Sequence, residues 1–428
     1  MLLPQERDAV KKFWLPTVLI FLWASAVFSW EEITIDRFAG LGARAMGMGG
    51  AYVAVAEDFT ATYWNPAGLA QIRRFELYGG ICQRQDAATV HFYDTPWHDQ
   101  ITRTTSDPLG IVIPIPTYRG SLVFSIGYLP IEVFDNVFGK EWFSQETGQH
   151  KERRDKDEGG LGIYAIAGAI DISPSVSLGA AVGLWNGSDT FSQKLLIWSD
   201  AEKKSDISSQ GQDIIEVRYR EFEDKYSAFS VRVGALFRVP GGIRVGLVVS
   251  SPVQYKVEEK WKWKEARWDT SGYSSYRVRL PWVFDGGLSW TVPGLVTVGL
   301  GLSHSDWTQT RYDEPPEEGI TNEDFRERYQ ATTRFHIGGE ILLPLVPVRV
   351  RGGYYRDPLP FLGPSKEKGP KIEIQDQRDY WTFGMGVLID RVLALDLAYV
   401  RGGFTQKEGN ITERHKQTRI FLSAAYRF

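Results

Sequence analysis

Arginine residues recur on one face of several strand-like segments in the second half of the chain, in which apolar and polar residues alternate. If the apolar face of each segment meets lipid, the opposite face points into an enclosed interior. The arginines on that face are Arg232, Arg238, Arg244, Arg277, Arg279, Arg334, Arg349, Arg351 and Arg419, and the acids that share it are Asp285, Glu340 and Asp396.

Guanidinium groups bind carboxylates through paired, charge-assisted hydrogen bonds, which supports two interpretations of these arginines. In the first, they pair with interior acids, including Glu57 and Asp58, and fix the structure. In the second, they form a wall that binds the carboxylate of a ligand. The residues assigned to this anion-binding wall are Arg232, Arg277, Arg279, Arg334, Arg349 and Arg351. Both interpretations can hold if arginines at different depths of the interior have different roles.

The remaining polar residues give little support to catalysis. The six histidines lack the spacing of a metal motif, and only His336 lies clearly on an inward face. Ser303 and Ser423 also fall on inward positions, but the sequence does not place either hydroxyl beside His336. Cys82 is the single cysteine, which excludes an intramolecular disulfide framework and a cysteine metal site. We therefore expect no enzyme activity, no metal and no cofactor.

Short alternating segments must position these side chains. An alternation of apolar and polar residues with a period of two is typical of strands whose faces meet different surroundings. In 226–239, Phe229, Val231 and Val233 share one face, and Ser230 and Arg232 share the other. Fourteen segments have this character: 73–84, 110–116, 120–131, 159–171, 175–190, 226–239, 242–257, 276–292, 295–309, 331–343, 347–357, 379–389, 392–403 and 416–428.

The connections between these segments alternate strictly in length. The short ones are 117–119, 173–174, 240–241, 293–294, 344–347 and 390–391, and the long ones are 85–109, 132–158, 191–225, 258–275, 310–330, 358–378 and 404–415. Short periplasmic turns and longer extracellular loops are typical of outer-membrane barrels. The last segment also ends on an aromatic residue, Phe428. We predict an all-β protein: a 14-stranded antiparallel transmembrane β-barrel over residues 73–428, in a Gram-negative type outer membrane.

The N-terminus has the features of a secretory signal peptide. Lys11 and Lys12 precede an apolar stretch over 13–28, and Ala24-Ser25-Ala26 offers a cleavage site. Cleavage after Ser29 fits equally well, and we assign residues 1–29 to the signal peptide. No later stretch reaches the ~18 apolar residues of a transmembrane helix.

Glycine and other small residues are concentrated between Gly40 and Ala70. Small residues let a backbone pack closely against surrounding walls, so we interpret residues 30–72 as a segment enclosed by the barrel. Its motifs are Gly42-Ala43-Arg44-Ala45, Met46-Gly47-Met48-Gly49-Gly50-Ala51, Val53-Ala54-Val55-Ala56-Glu57-Asp58 and Asn65-Pro66-Ala67-Gly68-Leu69. These motifs resemble the N-terminal region of the FadL/TodX family of outer-membrane transport proteins and their PorV-like relatives.

The resemblance implies that residues 30–72 are a hatch that plugs the lumen of the barrel. The hatch residues that it assigns are Gly47, Gly49, Gly50, Asn65, Pro66, Ala67 and Gly68. It also implies passive transport of hydrophobic molecules, such as long-chain fatty acids or aromatic hydrocarbons. The PorV-like relatives leave an alternative, an accessory barrel that docks with proteins of a secretion system. A structural or adhesive barrel is a third hypothesis, with which the long charged loops are compatible.

The expected partners are outer-membrane lipid and lipopolysaccharide, a hydrophobic small molecule and, in the alternative, a secretion-system protein. The net charge of −4 does not indicate nucleic acid. Gly40, Gly42 and Ala45 fit a dinucleotide fingerprint, but the βαβ unit that this motif requires is missing. Two long connections contain aromatic residues that form either a partly packed lid or a surface that captures an apolar ligand. These residues are Phe134, Phe138, Trp142, Phe143, Trp261, Trp263 and Trp268.

Prolines mark a candidate lateral opening in the barrel wall. Pro114 and Pro116 lie in the shortest segment, and Pro130 lies late in the next one. Proline has no N–H group, and residues i and i+2 of a strand face the same neighbour, so both lost donors fall on one seam. We predict either a side exit beside Pro114 and Pro116, toward 120–131, or prolines that merely end the strand at the periplasmic turn. The resemblance supports the first, because that family has a kinked strand that forms a lateral opening.

Overall fold

A computed structural model of the chain describes residues 40–92, 95–118, 120–144, 149–199, 214–265, 268–314, 321–344, 346–363, 372–409 and 411–428. The predicted signal peptide, 1–29, and the first part of the predicted hatch, 30–39, lie outside the described residues.

Nineteen antiparallel strands form one sheet within the described residues. They are β1 (Glu76–Phe92), β2 (Thr95–Ser106), β3 (Leu109–Ile115), β4 (Leu122–Val133), β5 (Asn136–Ser144), β6 (Gln149–Ser173), β7 (Val176–Ser199), β8 (Ile214–Val239), β9 (Ile243–Ser250), β10 (Gln254–Glu265), β11 (Trp268–Arg279), β12 (Val283–Val292), β13 (Val296–Asp306), β14 (Arg311–Glu314), β15 (Ala331–Leu342), β16 (Val348–Arg356), β17 (Glu373–Ile389), β18 (Leu393–Glu408) and β19 (Ile411–Arg427). The helices are short: α1 (Ala43–Gly47), α2 (Ala61–Trp64), α3 (Asn322–Arg328) and two 3-10 helices, Pro66–Gln71 and Trp307–Gln309.

The sheet closes on itself. β1 pairs with β19 along its whole length, from Glu76 opposite Arg427 to Phe92 opposite Ile411. Five traverses of the wall each consist of two consecutive strands, namely β2–β3, β4–β5, β9–β10, β11–β12 and β13–β14. The wall is therefore crossed fourteen times, and the predicted 14-stranded antiparallel barrel is confirmed.

Large apolar side chains cover the outer face of the barrel and form what we call the apolar band. Leu184, Phe229, Leu247, Leu300 and Phe383, for example, are 39–62% exposed. Such a band is suited to contact with lipid. The strands continue well beyond it, because β6, β7 and β8 contain 25, 24 and 26 residues. None of the helices among the described residues combines the length and the apolar composition needed to cross a membrane.

Five of the predicted long connections are largely strand, among them 404–415, which contains the end of β18 and the start of β19. The region 85–109 contains most of the β1–β2 hairpin, and 132–158 contains β5 and the start of β6. The region 191–225 contains the ends of β7 and β8, and 258–275 contains most of the β10–β11 hairpin. The expectation of loops was wrong here because most of these extensions lack a regular alternation: 149–158 is polar throughout, and 195–198 is a run of four apolar residues.

Two segments that were predicted as single strands are each divided by a proline-containing break. The segment 242–257 is divided at 251–253 and the segment 276–292 at 280–282. Each break exchanges the inward and outward positions of the chain. Val248 is buried before the first break, whereas Tyr255 is buried after it. Tyr276 and Ser289 show the same change across the second break.

Candidate functional site

Residues 40–72, which we call the N-terminal segment, are nearly all buried. Thr62 Oγ1 lies 2.7 Å from Ser125 Oγ of β4. Asn65 Nδ2 donates a hydrogen bond to the carbonyl of Ala235 on β8 at 3.1 Å. Because one segment reaches strands on different sides of a closed sheet, it lies inside the ring of strands.

Glycines on the inner wall make room for this segment. Ten wall glycines, each on a different strand, lie so close to it that an added Cβ atom would come within 2.9 Å of one of its atoms. They are Gly110, Gly127, Gly179, Gly234, Gly246, Gly287, Gly299, Gly338, Gly353 and Gly384. From Gly47, against β17, to Val53, against β9, the segment follows this ring of glycines around the wall.

The sequence analysis did not single out the wall glycines. The signal that would have found them is one glycine at a matching depth in successive strands. Gly299 lies opposite Gly338, and Gly338 lies opposite Gly353. This signal is visible only after the register between strands is known.

The predicted hatch residues Gly47, Gly49 and Gly50 lie where the segment meets the wall. The carbonyl of Gly47 accepts a hydrogen bond from Thr382 Oγ1 at 3.2 Å, and that of Gly49 accepts one from His336 Nδ1 at 2.8 Å. Gly49 and Gly50 have φ angles of 63° and 71°, a region that favours glycine. His336, the inward histidine of the sequence analysis, thus holds the backbone of the segment.

Asn65 connects two parts of the segment to each other and to the wall. Besides its bond to Ala235, its Nδ2 donates to the carbonyl of Val53 at 2.9 Å. Its Oδ1 accepts a hydrogen bond from the N–H of Ala67 at 3.1 Å, which caps the 3-10 helix. The other predicted residues of this motif, Pro66, Ala67 and Gly68, lie in that helix and are buried.

Several of the predicted inward arginines are paired with acids. We call Arg44, Glu57, Glu340, Arg349, Arg351 and Asp396 the latch cluster. Glu340 lies 2.6 Å from Arg351, 3.2 Å from Arg44 and 3.7 Å from Arg349. Arg351 also lies 2.7 Å from Asp396, and Arg44 lies 2.9 Å from Glu57. The cluster therefore ties the N-terminal segment to β15, β16 and β18, as the interpretation of ion pairing with interior acids predicts.

Asp58, the second acid expected to pair with arginine, accepts hydrogen bonds from Tyr52 Oη at 2.8 Å and from the N–H of Thr60 at 2.9 Å. These contacts stay within the segment.

Arg277 and Arg279 do not belong to the interior, and their assignment to the anion-binding wall was wrong. Their side chains are 46% and 41% exposed, and they pair with Glu314 at 3.3 Å and Asp313 at 2.8 Å. The cause is the break at 280–282, which exchanges the two faces between β11 and β12. A continuous strand would have placed both arginines on the face of Asp285.

Arg232 and Arg334 face a different part of the interior. Arg232 Nε donates to Ser250 Oγ at 2.9 Å, and its Nη1 donates to the carbonyl of Tyr63. Its guanidinium also lies 4.7 Å from the centre of the Tyr63 ring. Arg334 Nε donates to Asp357 at 2.5 Å. Both arginines therefore have protein acceptors already.

These arginines border a cavity of about 180 Å³ between the N-terminal segment and the wall. One side of the cavity is apolar and consists of Leu129, Ile131, Ile163, Ala165 and Ala181. The aromatic residues Tyr63, Trp64, Trp185, Tyr255 and Trp307 also line it. Its charged lining residues are Arg232, Asp285 and Arg334. The cavity thus offers an apolar environment with a polar group at one end.

The predicted opening beside Pro114 and Pro116 is contradicted by the strand pairing. β3 and β4 pair from Leu109 opposite Tyr128 to Ile115 opposite Leu122. β1 pairs with β3 only over residues 76–78, so both prolines lie beyond the end of that ladder. Their missing N–H groups leave no gap in it. Pro130 lies at an irregularity in the pairing of β4 with β6.

The ladder that is interrupted lies between β1 and the β2–β3 traverse. β1 pairs with β2 from Ile81 onward and with β3 up to Tyr78. Between them, the N–H of Asp107 donates to the carbonyl of Gly80 at 2.9 Å. A groove of about 620 Å³ on the outer face is lined by Gly79, Gly80, Ile81 and Leu109 and by residues of β16 to β19.

On the inner side of the interrupted ladder, the N–H of Gly42 donates to Asp107 Oδ2 at 3.1 Å. The N-terminal segment thus begins directly behind this site.

The aromatic residues of the two predicted long connections 132–158 and 258–275 occupy two different environments. Trp261 and Trp263 lie on β10 with their ring centres 5.5 Å apart, and Trp268 on β11 is 59% exposed. Phe134, by contrast, packs on the buried Tyr226, with the two ring centres 5.5 Å apart. Phe143 is 43% exposed, while the side chains of Phe138 and Trp142 lie outside the description.

No protein-family model matches the sequence, and none of the curated proteins matches it significantly. Solved structures do match. A FadL homologue of Pseudomonas aeruginosa is 14% identical, with a TM-score of 0.63, and the match covers 91% of this chain and 97% of that chain. The chain has the FadL/TodX fold.

Two further structures share the FadL/TodX fold. The toluene transporter TodX of P. putida is 15% identical, with a TM-score of 0.61 and coverage of 91% of this chain and 99% of that chain. The toluene transporter TbuX of Ralstonia pickettii is 13% identical, with a TM-score of 0.54 and coverage of 92% and 99%. The resemblance predicted from the residues between Gly40 and Ala70 is thus confirmed in the fold.

Proposed function

We propose that the protein is an outer-membrane channel for small hydrophobic molecules. The observation that carries this proposal is the apolar cavity of about 180 Å³ inside a closed barrel. A cavity of about 150 Å³ holds one benzene ring, so the size favours an aromatic hydrocarbon over a long-chain fatty acid. The apolar band suits a lipid bilayer, and two structures of the same fold are described as toluene transporters.

The N-terminal segment acts as the hatch of this channel. The ring of wall glycines and the latch cluster support this role, because they hold the segment across the interior. A plugged barrel excludes bulk solutes, whereas a ligand bound beside the plug can leave when the plug shifts.

Release occurs sideways, between β1 and the β2–β3 traverse. The interrupted ladder and the apolar groove outside it support this route. Gly79 and Gly80 have no side chains that would block the passage. The contact between Gly42 and Asp107 links the start of the hatch to the same place.

Binding of toluene to the purified protein tests the channel proposal. We expect Ala165→Trp, which fills the cavity, to weaken binding by about tenfold or more, since the ligand loses its space. Leu300→Trp on the outer face is the matched control and should leave binding unchanged. A wild-type protein that binds no toluene would contradict the proposal, and a co-purifying secretion protein would then favour the accessory role.

A reversible disulfide tests the side exit. In a Cys82→Ser background, Gly79→Cys and Leu109→Cys introduce two cysteines that can form a disulfide between β1 and β3. The two positions are neighbours, since a Cβ at Gly79 would lie 3.2 Å from Leu109 Cδ2. We expect oxidation to abolish toluene uptake by cells and reduction to restore it. The control is Leu288→Cys with Leu300→Cys, a directly opposed pair on β12 and β13. Uptake that is indifferent to a verified Gly79–Leu109 bond would contradict lateral release.

A further inference from the structure

Asp285 is the acidic residue that lines the cavity. It lies on β12 inside the barrel, yet its side chain is partly exposed, and this exposed surface faces the cavity. A carboxyl group on an otherwise apolar surface is costly unless it forms hydrogen bonds. The cross-strand neighbour Ser303 interacts with it from β13. The exposed surface leaves room for a further partner in the cavity.

The two guanidinium groups whose charges act on Asp285 are directed to other acceptors. Arg232 donates to Ser250 and to the carbonyl of Tyr63, and Arg334 donates to Asp357. Two lining hydroxyl groups have protein partners: Ser230 Oγ accepts from Trp185 Nε1 at 2.8 Å, and Ser305 Oγ donates to the carbonyl of Trp282 at 3.1 Å. Among the charged lining residues, Asp285 is the one whose group accepts hydrogen bonds, so it supplies an acceptor to the cavity.

An acceptor at one end of an apolar cavity selects a ligand that carries a hydrogen-bond donor. A ligand carboxylate does not fit this requirement, because it has no donor and would lie against Asp285. A pure hydrocarbon fits the space of the cavity but binds less tightly than a donor-bearing ring, because it covers the carboxyl group without bonding to it. The aromatic residues around the cavity favour a ring as the apolar part.

We propose that the cavity prefers an uncharged aromatic molecule of about one ring that carries a hydroxyl group, such as a substituted phenol. The hydroxyl donates to Asp285, and the ring packs between the apolar wall and Trp64. This inference rests on the proposed function, because it names the ligand class of the same cavity. It also replaces the anion-binding wall, since Arg232 and Arg334 donate to protein acceptors rather than to a ligand carboxylate.

Three probes test the proposal: p-xylene and p-cresol, which match in size, and p-toluate, whose carboxylate makes it two non-hydrogen atoms larger. At pH 7 p-cresol is uncharged, because phenols ionise near a pKa of about 10. We expect the purified wild-type protein to bind p-cresol at least about tenfold more tightly than p-xylene and to bind p-toluate most weakly. The measurement is isothermal titration with a matched detergent blank. This ranking requires no variant.

Asp285→Asn keeps the shape of the side chain but removes its charge. We expect the preference for p-cresol over p-xylene to fall to about threefold or less and p-toluate to gain affinity. Asp313→Asn, an exposed partner of Arg279 outside the cavity, is the control and should keep the wild-type ranking.

The outcomes separate this inference from the proposed function. If p-xylene or p-toluate binds the wild-type protein as tightly as p-cresol does, the hydroxyl preference is overturned and the channel proposal stands. If Asp285→Asn keeps the full preference, the assignment of Asp285 is overturned. If none of the three probes binds, the proposed function itself fails, and the preference fails with it.

Discussion

Two regions of the barrel interior use the same residue types in different ways. In the latch cluster, Glu340 and Asp396 are paired with arginines, and the cluster is closed around Arg44 of the N-terminal segment. At the cavity, Asp285 is a lining residue while Arg232 and Arg334 bond to other groups. The comparison teaches that an inward arginine is not by itself a ligand site. The partners that it already has decide its role.

The largest effect should follow from breaking the latch cluster at its centre. Glu340→Gln removes the charge that three arginines share, so we expect a loss of about 3–5 kcal/mol in the free energy of unfolding. The conductance of the barrel in planar bilayers should rise, because Arg44 no longer holds the hatch. Urea unfolding in detergent measures the first effect. Unchanged stability together with unchanged conductance would show that the cluster does not fix the segment.

A smaller effect should follow from filling the space that a wall glycine leaves. In Gly353→Ala the new Cβ would lie 2.4 Å from the N–H nitrogen of Gly49, so backbone must move, at a cost of about 1–3 kcal/mol. Gly352→Ala, one residue away, is the matched control, since its Cβ would come no closer than 4.0 Å to the nearest atom, the carbonyl oxygen of Thr382. Urea unfolding and protease cleavage of the N-terminal segment measure the difference. Equal behaviour of the two variants would argue against close packing of hatch and wall.

Asp189 and Asp224 extend the comparison to acids that face each other. They are buried cross-strand neighbours on β7 and β8, beyond the apolar band, and both contact Tyr226 Oη. Burial raises the pKa of both carboxyl groups, and nearby Glu259 acts in the same direction. Asp157 contributes further negative charge to Asp224.

The sign of the pH dependence follows from these raised pKa values. The folded protein binds more protons than the unfolded chain. The contribution of Asp189 and Asp224 to the free energy of unfolding is therefore fully present below the unfolded pKa of about 3.9 and is lost as the pH rises through the folded pKa values. We expect Tm to fall between pH 5 and pH 9. Asp224→Asn should make this fall smaller, which circular dichroism can measure. A steeper fall in the variant would contradict the assignment.

The smallest effect is expected at the exposed arginines. Arg279→Gln breaks a surface ion pair with Asp313, which should change the free energy of unfolding by at most about 1 kcal/mol and leave toluene binding unchanged. Arg232→Gln is the contrasting variant, because it loses contacts with Tyr63 and Ser250 at the cavity and should alter binding. A change in binding by Arg279→Gln alone would reinstate that residue as part of the interior.

The barrel could be predicted from sequence because each traverse has one lipid-facing and one interior face. Phe229, Val231 and Val233 therefore alternate with polar residues, and the turns between traverses stay short. The extensions of β6, β7 and β8 could not be predicted in this way. The extension of β6 is polar throughout at 149–158, and that of β7 contains a run of four apolar residues at 195–198, so a regular period of two is lost.

The site was predicted less completely, for two physical reasons. Pro252 and Pro281 lie in breaks that exchange inward and outward positions, so a count of alternate residues fails for Arg277 and Arg279. The wall glycines make room for the N-terminal segment because they lie side by side on neighbouring strands. Which glycines lie side by side is known only once the register between strands is known. By contrast, the residues from Gly47 to Gly68 could be identified locally, because tight turns and close approaches restrict the residue types that fit there.

The ring of wall glycines also has a consequence for the time course of folding. Gly47 bonds to Thr382, a residue 335 positions later in the chain, and Glu76 bonds to Arg427 across 351 positions. Contacts at such separations form slowly, because a long loop must close before they contribute any stability. The N-terminal segment is therefore synthesised well before its partners on the late strands and reaches its final packing among the last parts of the molecule. Until then its apolar residues stay uncovered, and a holding chaperone would find its binding site there.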